Sequence, residues 1–124
     1  MRLLSRGAAM TTAMNVFLRE GNVEIYLTRL HGTWQVQDRD VLLRLLVSEL
    51  DQMGESKQHL ENGQRRVADG ARRLRRLREL REERRAGGGS TDRQDFELQT
   101  SEKTQALLEA HVVRLRRRFE QRKL

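Results

Sequence analysis

The sequence predicts an all-α protein: a long antiparallel helical hairpin, a coiled coil, preceded by short N-terminal helices. Three observations lead to this fold class. The 124 residues contain no proline, which suits long uninterrupted helices because proline breaks a helix interior. Apolar residues recur at heptad spacing through the middle of the chain. The glycine-rich stretch AGGGS, residues 86–90, interrupts this helical sequence and indicates a tight turn.

The N-terminal region, residues 1–36, is predicted to form one or two short helices with breaks at Gly21 and Gly32. Spacings of three and four place several apolar residues on one face, namely Val23, Tyr26, Leu27 and Leu30. Three of the chain's five aromatic residues lie here, namely Phe17, Tyr26 and Trp34. The start, residues 1–19, has three arginines and no acid, so a mitochondrial targeting segment is an alternative interpretation.

A long helix is predicted over residues 38–86, with Asp38 or Asp40 as its N-terminal cap. Within segment 41–50 the apolar side chains point in almost every direction around the helix axis, and one neighbouring helix cannot cover them. They are Val41, Leu42, Leu43, Leu45, Leu46, Val47 and Leu50. We therefore expect either the N-terminal region or another subunit to cover this segment.

The same helix continues as a coiled-coil seam whose core residues lie seven apart. These residues are Leu46, Met53, Leu60, Val67 and Leu74. Glycines at 54, 63 and 70 are predicted to weaken the seam, because each costs about 1 kcal/mol in a helix interior.

A glycine-rich turn over 87–91 leads into a C-terminal helix, residues 92–124. Thr91 and Gln94 have the spacing of a capping box at the start of this helix. Its apolar stripe consists of Leu108, Val112, Leu115 and Phe119. Because a short loop favours antiparallel neighbours, folding the chain at Gly88 places Leu108 opposite Val67 or Ala68 and Leu115 opposite Leu60.

The charges support the antiparallel arrangement. The arginine-rich run 65–85, net +6, faces residues 91–109, net −3. The basic C-terminal stretch 114–124, net +5, faces residues 40–61, net −3. Exposed ion pairs contribute only about 0.2–1 kcal/mol each, so these charges select the orientation more than they stabilise the helices.

Residues 63–124 nevertheless carry a net charge of +8, and part of this charge is left over after pairing. Exposed arginines along a helix can bind phosphates. The candidate phosphate-binding residues are Arg72, Arg73, Arg75, Arg76, Arg116 and Arg117. The arginine run has no interleaved aromatic residue for base stacking, so any nucleic-acid binding is expected to be nonspecific.

The sequence predicts no enzyme, no metal and no cofactor. Cysteine is absent, and the histidines His31, His59 and His111 have no second ligand at metal-binding spacing. No phosphate-cradling loop or nucleophile motif is present, so no catalytic residue is assigned. No stretch approaches the roughly 18 apolar residues of a membrane span. The lack of cysteine favours an intracellular location, cytoplasmic or alternatively mitochondrial.

Taken together, the sequence predicts a non-catalytic coiled-coil subunit of a multiprotein assembly that binds helical partner subunits through segment 41–50. A hetero-oligomer is favoured over a homo-oligomer. The candidate partner-binding residues are Phe17, Tyr26, Trp34, Leu42, Leu43, Leu46, Val47 and Leu50. The alternative function is that of a basic nucleic-acid-associated factor, structural or part of a ribonucleoprotein, which uses the arginine-rich helices.

Overall fold

The computed structural model describes residues 2–54 and 56–122, with side chains over 12–54 and 56–121. Within these residues the chain forms helices and no strands, which confirms the all-α class. The helices are α1 (Arg2–Gly32), α2 (Val36–Asp51), α3 (Lys57–Ala86) and α4 (Asp92–Arg122). The last two residues of the predicted C-terminal helix lie outside the described residues.

Helix α1 differs from the short helices expected over residues 1–36, since it runs through Gly21 and ends at Gly32. Tertiary contacts immediately after Gly21 account for the difference. The Asn22 side chain donates a 3.0 Å hydrogen bond to Glu49 of α2, and Val23 is fully buried. These contacts offset the roughly 1 kcal/mol that a glycine costs in a helix interior.

The long helix expected over 38–86 is divided in the structure. Helix α2 ends at Asp51, and α3 begins at Lys57 after an extended Ser56. In the link, the Met53 N–H donates to the Leu50 carbonyl (3.2 Å) and the Met53 side chain is buried in the core. Gly54 follows, and its lack of a side chain eases the departure from helical geometry. The predicted seam is therefore not continuous, because Leu46 and Met53 pack in the central core while Leu74 follows the break on α3.

Helices α3 and α4 share the most extensive helix–helix contact of the described chain and run antiparallel. Arg81 pairs with Asp95 near the turn, and Gln105 donates a 2.8 Å hydrogen bond to the Val67 carbonyl in the middle. At the far end the Arg116 guanidinium lies beside the Gln64 side chain. As positions rise along one helix they fall along the other, so the packing agrees with a fold at Gly88.

The turn between these helices contains Gly88 at φ +79°, a backbone conformation that suits glycine. The capping box predicted from Thr91 and Gln94 is not formed. The Thr91 hydroxyl instead donates to the Asp95 carboxylate over 3.0 Å, and the Asp95 N–H donates to the Thr91 carbonyl. The Thr91 hydroxyl is therefore bound to the Asp95 carboxylate in the first turn of α4. In the predicted capping box this hydroxyl would have bound a backbone N–H instead.

Two glycines of α3 bring it close to α4. A Cβ atom on Gly63 would lie 3.0 Å from the Val112 side chain, and one on Gly70 would overlap the Gln105 amide. These positions are seven residues apart and lie on the same face of α3. The sequence identifies both as weak points of the seam, whereas in the structure they allow the close approach of the two helices.

The remaining contacts define how the four helices are arranged. Helix α1 packs antiparallel on α2 and parallel to α3, and α2 runs parallel to α4. The consecutive helices α2 and α3 do not pack against each other in the described chain. The central core combines residues of three helices and the link, namely Val23, Leu27, Leu30, Leu46, Leu50, Met53 and Leu108. Helix α1 therefore covers Leu46 and Leu50 of the apolar segment of α2.

The glycines provide a test of the packing. Gly21 has open space where a Cβ would lie, so Gly21→Ala should raise the free energy of unfolding by about 0.5–1 kcal/mol through helix propensity alone. Gly70→Ala should give no such gain, since its methyl group displaces the Gln105 amide from Val67. Urea denaturation of both variants measures the difference. Equal stabilisation by the two substitutions would contradict the close packing of α3 on α4.

Candidate functional site

The predicted partner-binding residues fall into two groups, and the first is used inside the chain. Leu46 and Leu50 are buried in the central core against α1. Tyr26, Leu42 and Leu43 are partly buried and pack against the same core. The sequence allowed either the N-terminal region or another subunit to cover Leu46 and Leu50. In the structure the N-terminal region covers them.

The second group reaches the surface. The Phe17 side chain is 73% exposed on α1. Trp34, between α1 and α2, is also exposed, and the Arg93 guanidinium lies 4.0 Å above its ring in a cation–π contact. Val47 is partly buried and lines an apolar groove between α2 and α4 with Leu43 and Leu107.

A further set of apolar side chains, 42–57% exposed, lies on the outward sides of α1 and α2. We call this surface the α1–α2 seam, and it consists of Met14, Leu18, Ile25, Val41 and Leu45. Met14, Leu18 and Ile25 share one helix face because they are four and seven residues apart. Arg19 and Asn22 both bind Glu49, and in this antiparallel register Ile25 lies level with Leu45. The same register places Leu18 level with the end of α2 and Met14 beyond it, so only Ile25 of these three residues lies beside α2.

Sequence reasoning did not assign this seam. Its signal was present, because Met14, Leu18 and Ile25 are spaced like a second stripe opposite Val23 and Leu30 on α1. Because the sequence predicted short broken helices over 1–36, these three residues were not recognised as one stripe. On α2, Val41 and Leu45 were recognised as apolar, but only the structure distinguishes them from the buried leucines of the same segment.

A buried polar cluster joins α1 to α3. We call it the Glu20 cluster, and its members are Glu20, His59, Asn62 and Arg66. Arg66 approaches the Glu20 carboxylate to 2.6 Å, and His59 Nδ1 and Asn62 Nδ2 lie 3.0 and 2.9 Å from its other oxygen. Arg66 also donates to Glu24 over 2.9 Å. Burial alone would raise the pKa of Glu20, but the bonds from His59 and Asn62 and the Arg66 charge outweigh it and lower that pKa.

His111 of α4 is buried, and its Nε2 has no hydrogen-bond partner within the described chain. Burial, followed by the charges of Arg114 and His59, lowers the pKa of His111 to about 4. The imidazole is therefore neutral at pH 7. Among the described residues, no group of three or more His, Cys, Asp or Glu side chains is arranged to hold a metal ion.

The six candidate phosphate-binding arginines do not form one site. Arg72 pairs with Asp69, and Arg73 is half-buried on the side of α3 that faces α1. Arg75 and Arg76 are exposed in the middle of α3 and form no ion pair with any described residue. Arg116 and Arg117 are exposed on α4, where the Arg116 guanidinium lies beside the Gln64 side chain. At 1.5 Å per residue, the eleven residues from Gln64 to Arg75 separate the two pairs by roughly 16 Å.

Part of the predicted charge complementarity is present. Arg78 lies 3.8 Å from Glu102, and Arg114 lies 3.7 Å from Asp51, in addition to the Arg81–Asp95 pair. The pairs of Arg78 and Arg81 join α3 to the acidic stretch predicted opposite it. Asp51, the partner of Arg114, lies on α2, which runs parallel to α4 and not antiparallel as predicted. Arginines of the run that face α4 thus form ion pairs with acids of α4, whereas those on the outer side of α3 are exposed.

A scan against protein-family models, a search of curated proteins and a search of solved structures each found no significant match to this chain. No helix of the described part is both long and apolar enough to cross a membrane.

The buried imidazole predicts a pH dependence of stability. The pKa of His111 is about 4 in the folded chain and about 6.5 when unfolded, so the unfolded state binds an extra proton between these values. The contribution of neutral His111 to the free energy of unfolding is fully present above pH 6.5. It should fall by about 2 kcal/mol by pH 5. Unfolding free energies of the wild type and His111→Gln from pH 7.5 to 5 measure this component. A wild-type slope no steeper than that of His111→Gln would contradict it.

Proposed function

We propose that this chain is a non-catalytic coiled-coil subunit of a multiprotein assembly, and that it binds a partner helix across the α1–α2 seam. One observation carries the proposal. Five large apolar side chains on the outward sides of α1 and α2 remain about half exposed, although the chain already has an internal core. Several large exposed apolar side chains on neighbouring helices are typical of protein–protein interaction sites.

Helix α2 is the centre of the proposed interface. Val41 and Leu45 lie on its flank towards α1, whereas Leu43 and Val47 line the apolar groove towards α4 together with Leu107. Fully burying a large apolar side chain contributes about 1.5–3 kcal/mol, and these side chains have only part of that burial left to gain. Association costs at least about 4 kcal/mol, so a stable partner has to contact more than the seam alone. Apolar surface on both flanks of α2 meets this requirement.

The charges favour a different protein over a second copy of the chain. The net charge is +7, and two such chains repel each other. Arg29 and Arg44 border the apolar surfaces of α2, and neither forms an ion pair with a described residue. A partner helix with an apolar stripe and acidic flanks is complementary to this surface.

The buried polar groups are consistent with a non-catalytic role. Glu20 is occupied by Arg66, His59 and Asn62, and its lowered pKa keeps it ionised rather than available as an acid at neutral pH. His111 is buried, its Nε2 has no hydrogen-bond partner in the described chain, and its lowered pKa makes it neutral at pH 7. These groups contribute to the packing of α1, α3 and α4 on one another.

A second candidate function is that of a basic nucleic-acid-associated factor, and the outer face of α3 favours it. Arg75 and Arg76 are exposed there without a carboxylate partner among the described residues, as is Arg117 on α4. Such cations attract a phosphate backbone without reading its sequence. This candidate ranks second because the arginine pairs are far apart and because Trp34 already stacks on Arg93.

The proposed interface is tested with Leu45→Glu, in the tagged full-length chain expressed in its own cells. Leu45 is 42% exposed, so a carboxylate there should leave the fold intact while it introduces a desolvated charge at the interface. Val113→Glu is the matched control, since Val113 is similarly exposed on α4 and lies outside the seam. We expect stoichiometric protein partners to be retained by the wild type and the control and lost from Leu45→Glu.

Each purification is divided into nuclease-treated and untreated halves. Protein partners that remain bound after nuclease treatment and are lost from Leu45→Glu support the proposed role as an assembly subunit. Loss of every bound protein with the nucleic acid, together with normal binding by Leu45→Glu, would replace it with the second candidate. In that case changing Arg75, Arg76, Arg116 and Arg117 to Gln should weaken binding and reduce its salt dependence.

A further inference from the structure

The first part of α1 extends past the helix that packs along it. The ion pair of Arg19 with Glu49 sets the register of α1 on α2. In this register Leu18 lies level with the end of α2, and the residues before it lie beyond that end. The helix begins at Arg2, so at 1.5 Å per residue roughly 24 Å of it lies before Leu18. We call this segment, residues 2–18, the α1 extension.

Large apolar side chains are exposed on the α1 extension. Phe17 is 73% exposed, Met14 57% and Leu18 53%. Phe17 and Leu18 follow Met14 by three and four residues, so the three side chains share one helix face. Large exposed apolar side chains that are grouped on one face mark an interaction surface.

The charge at this end of the molecule is positive. Residues 1–19 contain three arginines and no acid. The end of α4 lies nearby, since Arg118 donates to the Met53 carbonyl in the link that follows α2. Residues 114–122 contain five arginines and one acid. Three exposed arginines of this stretch form no ion pair with any described residue, namely Arg116, Arg117 and Arg118.

The acids that neighbouring helices contribute at this end are paired with other cations. Glu49 pairs with Arg19, and Asp51 pairs with Arg114. The carboxylate of Glu20 is enclosed in the Glu20 cluster. These acids therefore leave the three exposed arginines of α4 uncompensated. An exposed apolar helix face and unneutralised positive charge thus occur together at one end of the molecule.

We propose that the α1 extension and the end of α4 bind the surface of an anionic lipid bilayer. Met14, Phe17 and Leu18 enter the boundary between the headgroups and the acyl chains. The exposed arginines of α4 lie beside the anionic headgroups. A helix with an apolar face and nearby arginines lies in the membrane interface in this way. Anionic lipids attract arginines within the Debye length, roughly 8–10 Å.

The geometry favours a lipid surface over a partner helix. A partner helix lays its apolar face into a groove, whereas the α1 extension has no α2 beside it to form one. A bilayer deforms around inserted side chains and requires no groove. Of the α1 residues in the α1–α2 seam only Ile25 lies beside α2, so the partner interface centred on α2 lies farther along α1. Lipid binding is therefore an activity beyond the proposed function.

The test is flotation of the purified full-length chain with phosphatidylcholine vesicles, with and without phosphatidylserine. We expect flotation with the phosphatidylserine vesicles that weakens as the salt concentration rises, and none with phosphatidylcholine alone. Phe17→Asp should weaken this binding about tenfold or more, because it replaces an inserted ring with a charge that the lipid repels. Val36→Asp is the matched control with the same net charge, since Val36 is 52% exposed at the start of α2, the opposite end of that helix. It should float like the wild type.

A second pair of variants tests the arginines. Changing Arg116 and Arg117 to Gln should weaken flotation. Changing Arg75 and Arg76 to Gln removes the same charge from the middle of α3 and should leave flotation unchanged. Equal weakening by both changes would show that net charge alone attracts the chain to the vesicles, and overturns the proposal.

Circular dichroism first establishes that each variant is folded, and Met14→Asp replaces Phe17→Asp if that variant is not. No flotation of the wild type with either kind of vesicle, or flotation that these substitutions leave unchanged, overturns the proposal and leaves this face of α1 to a protein partner. Equal flotation with both kinds of vesicle overturns it as well. Leu45→Glu should float normally, so a failure of the proposed partner interface is distinguishable from a failure of lipid binding.

Discussion

The buried ion pair between Glu20 and Arg66 determines how α1, which is packed along α2, meets α3. It joins α1 to α3 at a point where both side chains are almost inaccessible to water. A buried charge without a partner destabilises a protein by several kcal/mol, so α1 is held in the one position that pairs both groups. In that position Val23 and Leu30 close the core over Leu46 and Leu50 of α2. The partly exposed seam on the outer side and the α1 extension beyond α2 both follow from this placement of α1.

The hairpin of α3 and α4 was predictable because its determinants are periodic or local. The glycine-rich turn fixed where the chain reverses, and the stripe through Leu108 and Leu115 fixed which face turns inward. The break after Asp51 was not predictable, because Leu46 and Met53 keep heptad spacing across it and only Gly54 signals a change. It results from the burial of Met53 in a core that α1 completes. Glu20 and Arg66 lie on different helices, and no spacing rule connects such distant residues.

The candidate site was predicted in part. The part that was not predicted depends on contacts between residues that are distant in sequence. The sequence identified the apolar segment of α2 and required a cover for it, but only tertiary structure shows that Leu46 is inside and Leu45 outside. The arginines of α3 divide in the same way by helix face. Arg66 faces α1, Arg78 and Arg81 face acids of α4, and Arg75 faces solvent. A run that is uniform in sequence therefore provides internal ion pairs and an outer basic face.

The most direct test of this account is a double-mutant cycle between Glu20 and Arg66, measured as the free energy of unfolding in urea at pH 7. Glu20→Gln and Arg66→Met each keep the approximate shape and remove the ion pair, while Glu24 still pairs with Arg66 and His59 and Asn62 still bind Glu20. We expect Arg66→Met alone to destabilise the chain by about 3–5 kcal/mol and the double variant to lose at least about 2 kcal/mol less than the sum of the single variants. Effects that add within about 0.5 kcal/mol would show that the two residues act independently, and would contradict the docking of α1 on α3.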